Sequence, residues 1–340
     1  MKAISYSETG EPAVLRQTER PVPEPGPGEV RVRVEVSGVN PTDWKSRRGG
    51  GPGQPPPFPE VVPNQDGAGV VDATGTGVSG LAAGQRVWLW EAAWQRAEGT
   101  AQEYVVLPER QVVPLPDGAS FDLGAGLGIP ALTAHRCLTV ADGGPAALAP
   151  GALQRRVVLV AGGAGAVGHA AIELARWAGA EVITTVSSPE KAELARAAGA
   201  HHVIDYRGQD AATAIRRVAA GGVHQVVEVA PAVNAALNQA VLAPGGTVAV
   251  YANNGGEELT VPIRPLMLSN ARYQFVMVYT VPEAAKDQAV TDVSAAVAAG
   301  ALRIGAEAGL PVHRFPLART ADAHAAVESG AVGKVLIDVG

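Results

Sequence analysis

The sequence lacks what several classes of protein require. Cys137 is its only cysteine, so no disulfide can form within the chain and no cysteine cluster can hold structural zinc. No apolar run approaches the roughly 20 residues needed to cross a bilayer. The first residues, MKAISYSETG, lack the apolar core of a signal peptide. We therefore predict a cytoplasmic protein without a membrane partner.

Excess positive charge is also absent. The chain has 27 Lys and Arg against 33 Asp and Glu, which gives a net charge of -6 at pH 7. Nucleic-acid-binding domains concentrate basic side chains to neutralise phosphates, so we predict no nucleic-acid partner. Aromatic residues make up only 4% of the chain whereas glycine occurs 41 times, as in closely packed α/β layers. The length of 340 residues suits two domains.

The strongest motif runs from Val157 to Gly168. Val157–Val160 is an apolar run of the kind that forms a buried strand, and helical spacing follows from His169 to about Ala178. The glycines between them follow the spacing G-x-x-G-x-x-G, one residue longer in its first half than G-x-G-x-x-G. A strand, a glycine turn and a helix N-terminus together bind the pyrophosphate of a dinucleotide. The predicted pyrophosphate site is the backbone of Gly162, Ala164, Gly165, Ala166, Val167 and Gly168.

Strands and helices alternate after this motif, which predicts an α/β fold with a doubly wound parallel sheet. The predicted strands are Glu181–Val186, His202–Ile204, Gln225–Val229, Thr247–Tyr251 and Tyr273–Val278. The predicted helices are Pro189–Ala198, Ala211–Ala219, Asn234–Val241 and Pro282–Ala299.

The first 125 residues and the end of the chain are predicted to be β-rich. The predicted strands are Met1–Tyr6, Glu29–Val36, Val70–Ala73, Gly84–Leu89, Ala101–Leu107 and, at the end, Lys334–Val339. A helix is predicted over Gly124–Leu138. The segment Gly49–Pro59 (GGGPGQPPPFP) should be an exposed irregular loop. Two interpretations of this loop stay open, a flexible surface loop and a gate for substrate.

Several ordered stretches of the chain resemble one known family. They are Gly38–Lys45 (GVNPTDWK), Pro63–Val71 (PNQDGAGVV), Gly128–Ala134 (GIPALTA), the glycine turn, and the ending from Glu328 to Val335. In these stretches the chain resembles the zinc-free quinone oxidoreductase, or zeta-crystallin-like, branch of the medium-chain dehydrogenase/reductase superfamily. The resemblance implies a GroES-like catalytic domain over residues 1–125 and 300–340 and a Rossmann nucleotide-binding domain over residues 126–299. It also implies hydride transfer from a nicotinamide and a homodimer.

The resemblance also identifies where zinc ligands would lie. Zinc-dependent relatives carry a cysteine where this chain has Asn40, a Gly-His-Glu where it has Asn64–Asp66, and a further cysteine near Ile129. Amide and alkyl side chains do not hold catalytic zinc. Trp90–Arg96, where such relatives carry a four-cysteine lobe, has no cysteine. We therefore predict that the protein holds no metal.

The second strand of the alternating region bears on the choice of nicotinamide. NAD-specific enzymes usually end this strand with a carboxylate that accepts from the ribose 2′-hydroxyl, but here it ends TTVSS, and Glu190 falls in the next helix. An uncharged end tolerates the 2′-phosphate of NADPH. The predicted phosphate site is Ser187, Ser188, Lys191 and, by resemblance, Tyr206. The alternative is that Ser188 only caps a helix and Lys191 is a solvated surface charge.

Further cofactor contacts are predicted at the carboxyl ends of strands, where sheets of this kind bind ligands. Tyr251 and Asn253 end the fifth strand, and Val278, Tyr279 and Thr280 end the sixth. The resemblance adds Thr133, which would contact the nicotinamide end, and Lys334 in the closing stretch. For the strand-end residues, plain packing is the alternative.

Hydride transfer without zinc needs hydrogen-bond donors, because negative charge develops on the oxygen of the acceptor. The predicted donors are the Asn40 amide and the Lys45 ammonium, placed on one loop facing the nicotinamide. Quinone reductases of this branch often have tyrosine where this chain has Lys45, so we expect acceptors among activated alkenes as well as quinones. The alternative for Lys45 is a surface charge paired with Asp43 or Asp66.

These observations together predict an NADPH-dependent, zinc-independent reductase of quinones or α,β-unsaturated carbonyl compounds. Two alternatives stay open. One is a crystallin-like protein that binds NADPH without turnover, and the other is an enone or enoyl reductase of a specialised pathway.

Overall fold

The computed structural model describes residues 1–340, which divide into two compact units. Unit 1 comprises Met1–Ile129 and Val312–Gly340, and unit 2 comprises Pro130–Pro311. The units therefore break after residues 129 and 311, rather than after 125 and 299 as the sequence suggested. The second break is later because residues 300–311 pack on unit 2, where Arg303 donates to the Glu173 carboxylate at 2.8 Å.

The chain forms fifteen strands and nine α-helices. The strands are β1 (Lys2–Ser5), β2 (Arg16–Glu19), β3 (Glu29–Val39), β4 (Asp66–Thr74), β5 (Arg86–Leu89), β6 (Tyr104–Pro108), β7 (Val112–Pro114), β8 (Val157–Ala161), β9 (Glu181–Val186), β10 (His202–Asp205), β11 (Val223–Glu228), β12 (Leu242–Val250), β13 (Arg272–Phe275), β14 (Val312–Pro316) and β15 (Lys334–Asp338). The helices are α1 (Pro41–Arg48), α2 (Phe121–Leu138), α3 (Ala166–Trp177), α4 (Pro189–Ala197), α5 (Ala211–Val218), α6 (Pro231–Val241), α7 (Ile263–Ser269), α8 (Glu283–Ala298) and α9 (Thr320–Glu328).

Unit 1 is built on a mixed sheet whose strand order is β14-β15-β3-β4-β5-β7, with β6 also paired to β3. Its longest strand, β3, alternates valines with Arg and Glu, so one face is apolar. The buried valines Val30, Val32 and Val34 pack with Leu89 and Leu107 into one core cluster. The last strand, β15, pairs antiparallel with β3, which brings the C-terminal end of the chain to the strand that leads into α1.

Gly38, near the end of β3, allows this strand to approach α2 closely. A Cβ at Gly38 would lie 2.0 Å from the carbonyl oxygen of Ala125. Asn40 follows as the residue that precedes α1, and Pro41 takes the first helical position. We predicted that a single loop carries both Asn40 and Lys45. This prediction is wrong in part, because Lys45 lies on α1.

Unit 2 contains a six-stranded sheet in the order β10-β9-β8-β11-β12-β13, with every neighbouring pair parallel. Strands β8, β9 and β11 are buried on both faces, as expected when helices cover both. Leu159, Ile183, Val226 and Val248 form the centre of the core. The predicted doubly wound sheet is confirmed, with one strand ending early. β13 ends at Phe275, and Val278–Thr280 form a 3-10 turn instead of the end of a strand.

Three further features concern the segment 49–59, the helix α7 and the absence of a membrane-spanning helix. The segment 49–59 forms no helix or strand, as predicted, whereas α7 was not anticipated. No helix in the structure combines the length and the apolar character needed to cross a membrane.

The turn between β8 and α3 depends on glycines at different positions for different reasons. Gly162 has a φ of 72°, in the left-handed region that favours glycine. A Cβ at Gly163 would lie 2.1 Å from Thr184 Oγ1, and one at Gly168 would lie 2.4 Å from the Gly162 carbonyl oxygen. Gly165 is different, since the nearest atom to its Cβ position is 3.5 Å away. Gly163 and Gly168 therefore serve packing, while Gly165 leaves open space above the backbone.

A matched pair of substitutions tests this distinction. Gly168→Ala should lower the free energy of unfolding by about 1–3 kcal/mol, because the new Cβ meets backbone atoms that must shift. Gly165→Ala should cost less than about 1 kcal/mol, the effect of a poorer N-cap. Urea denaturation of both variants and the parent measures the difference. Equal losses would contradict the packing role of Gly168.

Candidate functional site

The N-terminus of α3 offers backbone donors above a space that glycine keeps open. Gly165 precedes the helix as its N-cap, and the N–H groups of Ala166 and Val167 have no carbonyl four residues earlier within the helix. The open Cβ position of Gly165 leaves room for a group to approach these donors. A phosphate fits this arrangement because the donors and the helix dipole both favour negative charge. Ala164 is buried inside the turn.

The carboxyl end of β9 brings together most of the residues predicted to bind a 2′-phosphate. The Lys191 ammonium donates to Ser187 Oγ at 3.1 Å, and the Tyr206 N–H donates to the Val186 carbonyl oxygen at 3.1 Å. Ser188 accepts from the Lys191 N–H at 3.3 Å and so caps α4. The end of the strand therefore presents an ammonium and hydroxyl groups. Tyr206 is half exposed, at 50%.

The remaining residues predicted to contact a cofactor in unit 2 have less distinctive surroundings. Thr133 is buried on α2. Tyr251 is half-buried after β12, and Asn253 is exposed and donates to Glu257 at 2.6 Å. Val278 and Tyr279 are buried and Thr280 is exposed in the 3-10 turn, where the Tyr279 carbonyl oxygen accepts from Lys286 at 2.7 Å. Their cofactor roles stay predictions.

Unit 1 contains a buried polar cluster, defined by Asn40, Asp43, Asp66 and Lys334, which the sequence did not predict as a unit. The Lys334 ammonium donates to Asn40 Oδ1 at 2.7 Å and lies 3.6 Å from Asp66 Oδ2. The Asn40 amide donates in turn to Asp66 Oδ2 at 2.7 Å. All four side chains are no more than 3% exposed. Lys334, predicted to contact the cofactor, therefore holds Asn40 and Asp66 in place in this unit.

The Gly-Ile-Pro stretch of α2 completes the surroundings of Asp66. The Ile129 N–H donates to both oxygens of the Asp66 carboxylate, at 2.9 and 3.0 Å. A Cβ at Gly128 would lie 2.1 Å from Asp66 Oδ1, so glycine allows the carboxylate to approach the helix. Pro130 has no N–H and interrupts the helical hydrogen bonds at this point. The stretch thus supplies a backbone hydrogen-bond donor and the space for a buried carboxylate.

Asp43 adds a second carboxylate beside Asp66. Its oxygens accept from the N–H groups of Asn40 at 2.7 Å and Gln65 at 3.1 Å. Burial, and secondarily the Asp66 charge, raise the pKa of Asp43 to about 8. Burial also raises the pKa of Asp66, but Lys334 and the hydrogen bonds from Asn40 and Ile129 oppose this shift. The cluster therefore combines one ammonium–carboxylate pair with a second carboxyl group that keeps its proton at neutral pH.

Lys45 lies outside this cluster. It is exposed on α1, and its ammonium lies 5.9 Å from the centre of the Trp44 ring. The alternative that Lys45 pairs with Asp43 or Asp66 is wrong, because both carboxylates are buried and bonded to other groups. Lys45 is thus a solvent-facing cation, and its catalytic role stays a prediction.

The positions of the expected zinc ligands hold no thiolate and no imidazole, and the one carboxylate among them, Asp66, is engaged by Asn40, Ile129 and Lys334. Asn40 Nδ2 is directed at Asp66, Gln65 Oε1 accepts from the Ala93 N–H at 3.1 Å, and Ile129 supplies only backbone. Asn64 donates to Ser37 and accepts from His324 at 2.9 Å. No group of three or more His, Cys, Asp or Glu is placed to hold a metal ion. This donor set does not fit catalytic zinc.

Comparison with known proteins shows similarity across both units. A family model described as an alcohol dehydrogenase GroES-like domain matches residues 26–117, and one described as a zinc-binding dehydrogenase matches residues 166–295. A quinone oxidoreductase from Pongo abelii is 30% identical over 341 residues, covering 99% of this chain and 97% of the relative. The predicted fold class is confirmed.

Two solved structures are also similar over the whole chain. An NAD-dependent alcohol dehydrogenase is 31% identical with a TM-score of 0.85 and covers 100% of both chains. A mycobacterial protein solved in complex with NADPH is 29% identical with a TM-score of 0.80 and covers 99% of both chains. One of these relatives is thus described as NAD-dependent, and the other was solved with NADPH.

The raised pKa of Asp43 predicts a pH-dependent stability. Between about pH 4 and pH 8 the folded protein holds a proton on Asp43 that the unfolded chain has lost. Unfolding then releases this proton, so the contribution of Asp43 to stability falls as the pH rises through that window and is constant above it. Relative to that of Asp43→Asn, the free energy of unfolding of the parent should fall by on the order of a few kcal/mol across the window.

Urea denaturation at a series of pH values measures this difference. Asp117→Asn, at an exposed position, is the control and should leave the pH profile of the parent unchanged. Parallel profiles for the parent and Asp43→Asn would contradict the protonated state of Asp43.

Proposed function

Because the chain belongs to the quinone oxidoreductase branch of the medium-chain dehydrogenase/reductase superfamily, we propose that it is an NADPH-dependent reductase of quinones or α,β-unsaturated carbonyl compounds that works without zinc. The observation that carries the proposal is the pairing of a glycine-lined helix N-terminus with an ammonium group at the end of β9. The Lys191 ammonium lies 3.1 Å from Ser187 Oγ where NAD-specific enzymes usually hold a carboxylate.

The roles of the residues follow from their chemistry. Bound NADPH supplies a hydride from its dihydronicotinamide. The backbone at Gly165, Ala166 and Val167 binds the pyrophosphate, and Lys191 binds the 2′-phosphate through a charge-assisted hydrogen bond. Lys334 fixes the orientation of the Asn40 side-chain amide. One N–H of this amide donates to Asp66, and its second N–H stays free to donate to an acceptor oxygen. Lys45 adds a cation on α1, and solvent supplies the final proton.

The absence of suitable zinc ligands supports the zinc-independent form of the proposal. Asn40 and Gln65 offer amides at positions where zinc-dependent relatives carry thiolate and imidazole. Charge that develops on the acceptor oxygen must then meet hydrogen-bond donors placed in advance. A cytoplasmic location and the absence of membrane and nucleic-acid partners stay predictions.

Oxidation of NADPH by a panel of acceptors tests the proposal. The purified chain, freed of metal by a chelator, should consume NADPH with naphthoquinone or cyclohexenone and much less NADH. Tight binding of NADPH without consumption by any acceptor would instead support a non-catalytic, crystallin-like protein. Activity that appears only after zinc is added would overturn the zinc-independent mechanism.

The same assay tests the nucleotide preference. Lys191→Ala should weaken NADPH binding about tenfold or more, because a hydrogen bond to a charged group is lost, and should change NADH binding less than about twofold. Arg217→Ala, which removes an exposed cation from α5 in the same unit, is the charge-matched control and should change neither. Equal losses for both dinucleotides would contradict the role of Lys191.

We also propose a homodimer, supported by the edge of the unit 2 sheet. Strand β13 is an edge strand with unpaired backbone groups on its outer side. Large apolar side chains are exposed on and near it. They are Ile263, Met267, Leu268, Phe275 and Met277, each at least 59% exposed. An exposed apolar patch beside a free strand edge is typical of an interface.

Sedimentation velocity measures the oligomeric state. The parent chain should sediment as a dimer at micromolar concentration, and Phe275→Asp combined with Met267→Asp should shift it to the monomer. Val22→Asp, at an exposed apolar position of unit 1, is the control. A monomeric parent chain would sink the dimer proposal.

A further inference from the structure

A chain of hydrogen bonds inside unit 1 connects helix α9 to the start of β4. Its side chains are His324, Asn64, Ser37 and Thr100, each no more than 1% exposed. His324 Nε2 lies 2.9 Å from Asn64 Oδ1, and the Asn64 amide donates to Ser37 Oγ at 2.9 Å. Ser37 Oγ lies 2.7 Å from Thr100 Oγ1, which donates to the Asp66 carbonyl oxygen at 2.6 Å. These bonds link a helix near the C-terminus to the first residue of β4.

The carbonyl acceptor at one end of this network determines where each proton lies. A carbonyl oxygen only accepts, so the Thr100 hydroxyl donates to Asp66. The Ser37 hydroxyl then donates to Thr100, and it accepts from the Asn64 amide. This orientation turns Asn64 Oδ1 toward His324, so the histidine carries its proton on Nε2 and donates to Asn64.

The His324 ring is held in one protonation state. Its Nδ1 is buried without a hydrogen-bond partner, so a second proton there would be a buried donor with no acceptor. Burial, and secondarily the charge of Arg47, lower the pKa of His324 to about 3. The imidazole is therefore neutral at neutral pH and presents a single donor to a single acceptor.

Asn64 needs support from its side chain because its backbone is strained. Its φ is 81°, in the left-handed region that favours glycine, and the Gly-His-Glu of zinc-dependent relatives has glycine at this position. A residue in a sparsely populated conformation persists only where its surroundings enforce it. The bonds of the Asn64 amide group to His324 and Ser37 supply this enforcement on both sides.

The strained turn directs the next two residues into the buried polar cluster. The Gln65 N–H donates to the Asp43 carboxyl group at 3.1 Å, and the Asp66 carboxylate accepts from the Asn40 amide at 2.7 Å. A change of the Asn64 backbone to an ordinary conformation would turn both groups away from these partners. The second N–H of Asn40, which we propose as the donor to an acceptor oxygen, takes its direction from the bond to Asp66.

We propose that His324 is a positioning residue, which acts through the Asn64 side-chain amide to hold the turn at residues 64–66 and thereby the direction of the Asn40 donor. The inference rests on the proposed function in one respect, since it takes Asn40 to be the donor to the acceptor oxygen. The sequence patterns did not connect His324 with Asn64, which lie 260 positions apart.

Two substitutions of similar shape test the donor. His324→Gln keeps an N–H close to the position of Nε2, whereas His324→Met fills similar space without a donor. With an acceptor that the parent reduces, His324→Met should lower kcat about tenfold and change KM less than about twofold, because Asn40 acts on charge that develops during hydride transfer. His324→Gln should restore kcat to within about threefold of the parent. His313→Met, which removes an exposed histidine from the same unit, is the control and should behave as the parent does.

A double-mutant cycle tests whether His324 acts through Asn64. Asn64→Gly removes the amide and places at this position the residue that adopts a left-handed φ without support. In this background His324→Met should change kcat by less than about twofold, because the interaction it removes is already absent. Equal losses of kcat from His324→Met in both backgrounds would contradict the inference, as would a failure of His324→Gln to restore activity.

A second comparison decides the matter if His324→Met does not fold. Asn64→Ala removes the same amide but keeps a Cβ, which disfavours the left-handed conformation. It should therefore lower kcat more than Asn64→Gly does. Equal kcat values in these two variants would show that the strained turn does not control the reaction.

Nuclear magnetic resonance of the full chain separates this inference from the reductase proposal. The side-chain amide signals of Asn40 should shift in His324→Met and return toward the parent positions in His324→Gln. If they do so while the parent consumes no NADPH with any acceptor, the positioning of Asn40 by His324 stands and the reductase proposal fails. If the parent is an active reductase whose kcat is the same in His324→Met, the reductase proposal stands and the positioning role fails.

Discussion

The burial of the Lys334 ammonium between Asn40 and Asp66 is the interaction on which the rest of unit 1 depends. An unpaired charge at such depth would cost several kcal/mol, so each member of the pair requires the other, and removing one partner of a buried pair typically costs about 3–5 kcal/mol. Lys334 begins β15, near the C-terminus, while Asn40 follows β3 and Asp66 begins β4. One ion pair thus fixes three strands of the sheet in relation to the start of α1.

Small residues at fixed positions make this burial possible. Gly38 lets β3 approach the Ala125 carbonyl of α2 within a distance that no Cβ would permit, and Gly128 does the same for the Asp66 carboxylate. The Ile129 N–H then bonds that carboxylate where Pro130 interrupts the helix. Apart from the glycine turn of unit 2, the stretches that resemble a known family therefore have a shared physical purpose, since each contributes a close approach or a group of the same buried cluster.

The sequence predicted the parallel sheet well because its signals are local, namely apolar runs followed by glycines and helical spacing. It could not predict the polar cluster of unit 1, whose members are joined only by the fold, with Lys334 and Asn40 separated by 294 positions. The loop assigned to Lys45 is a different kind of error. Asn40 before Pro41, with an acid three residues after Asn40, is a recognisable helix start, so this signal was present in the sequence and α1 could have been predicted.

The charge count of the cluster also determines how its second carboxyl group is held. Two carboxylates share one ammonium, and Asp66 takes that ammonium together with the Asn40 amide. Asp43 is left without a cation in contact and retains its proton up to about pH 8. Asp43 is held instead by the N–H groups of Asn40 and Gln65, which donate to its two oxygens. The lysine that positions Asn40 and Asp66 thereby leaves Asp43 to be held by backbone donors.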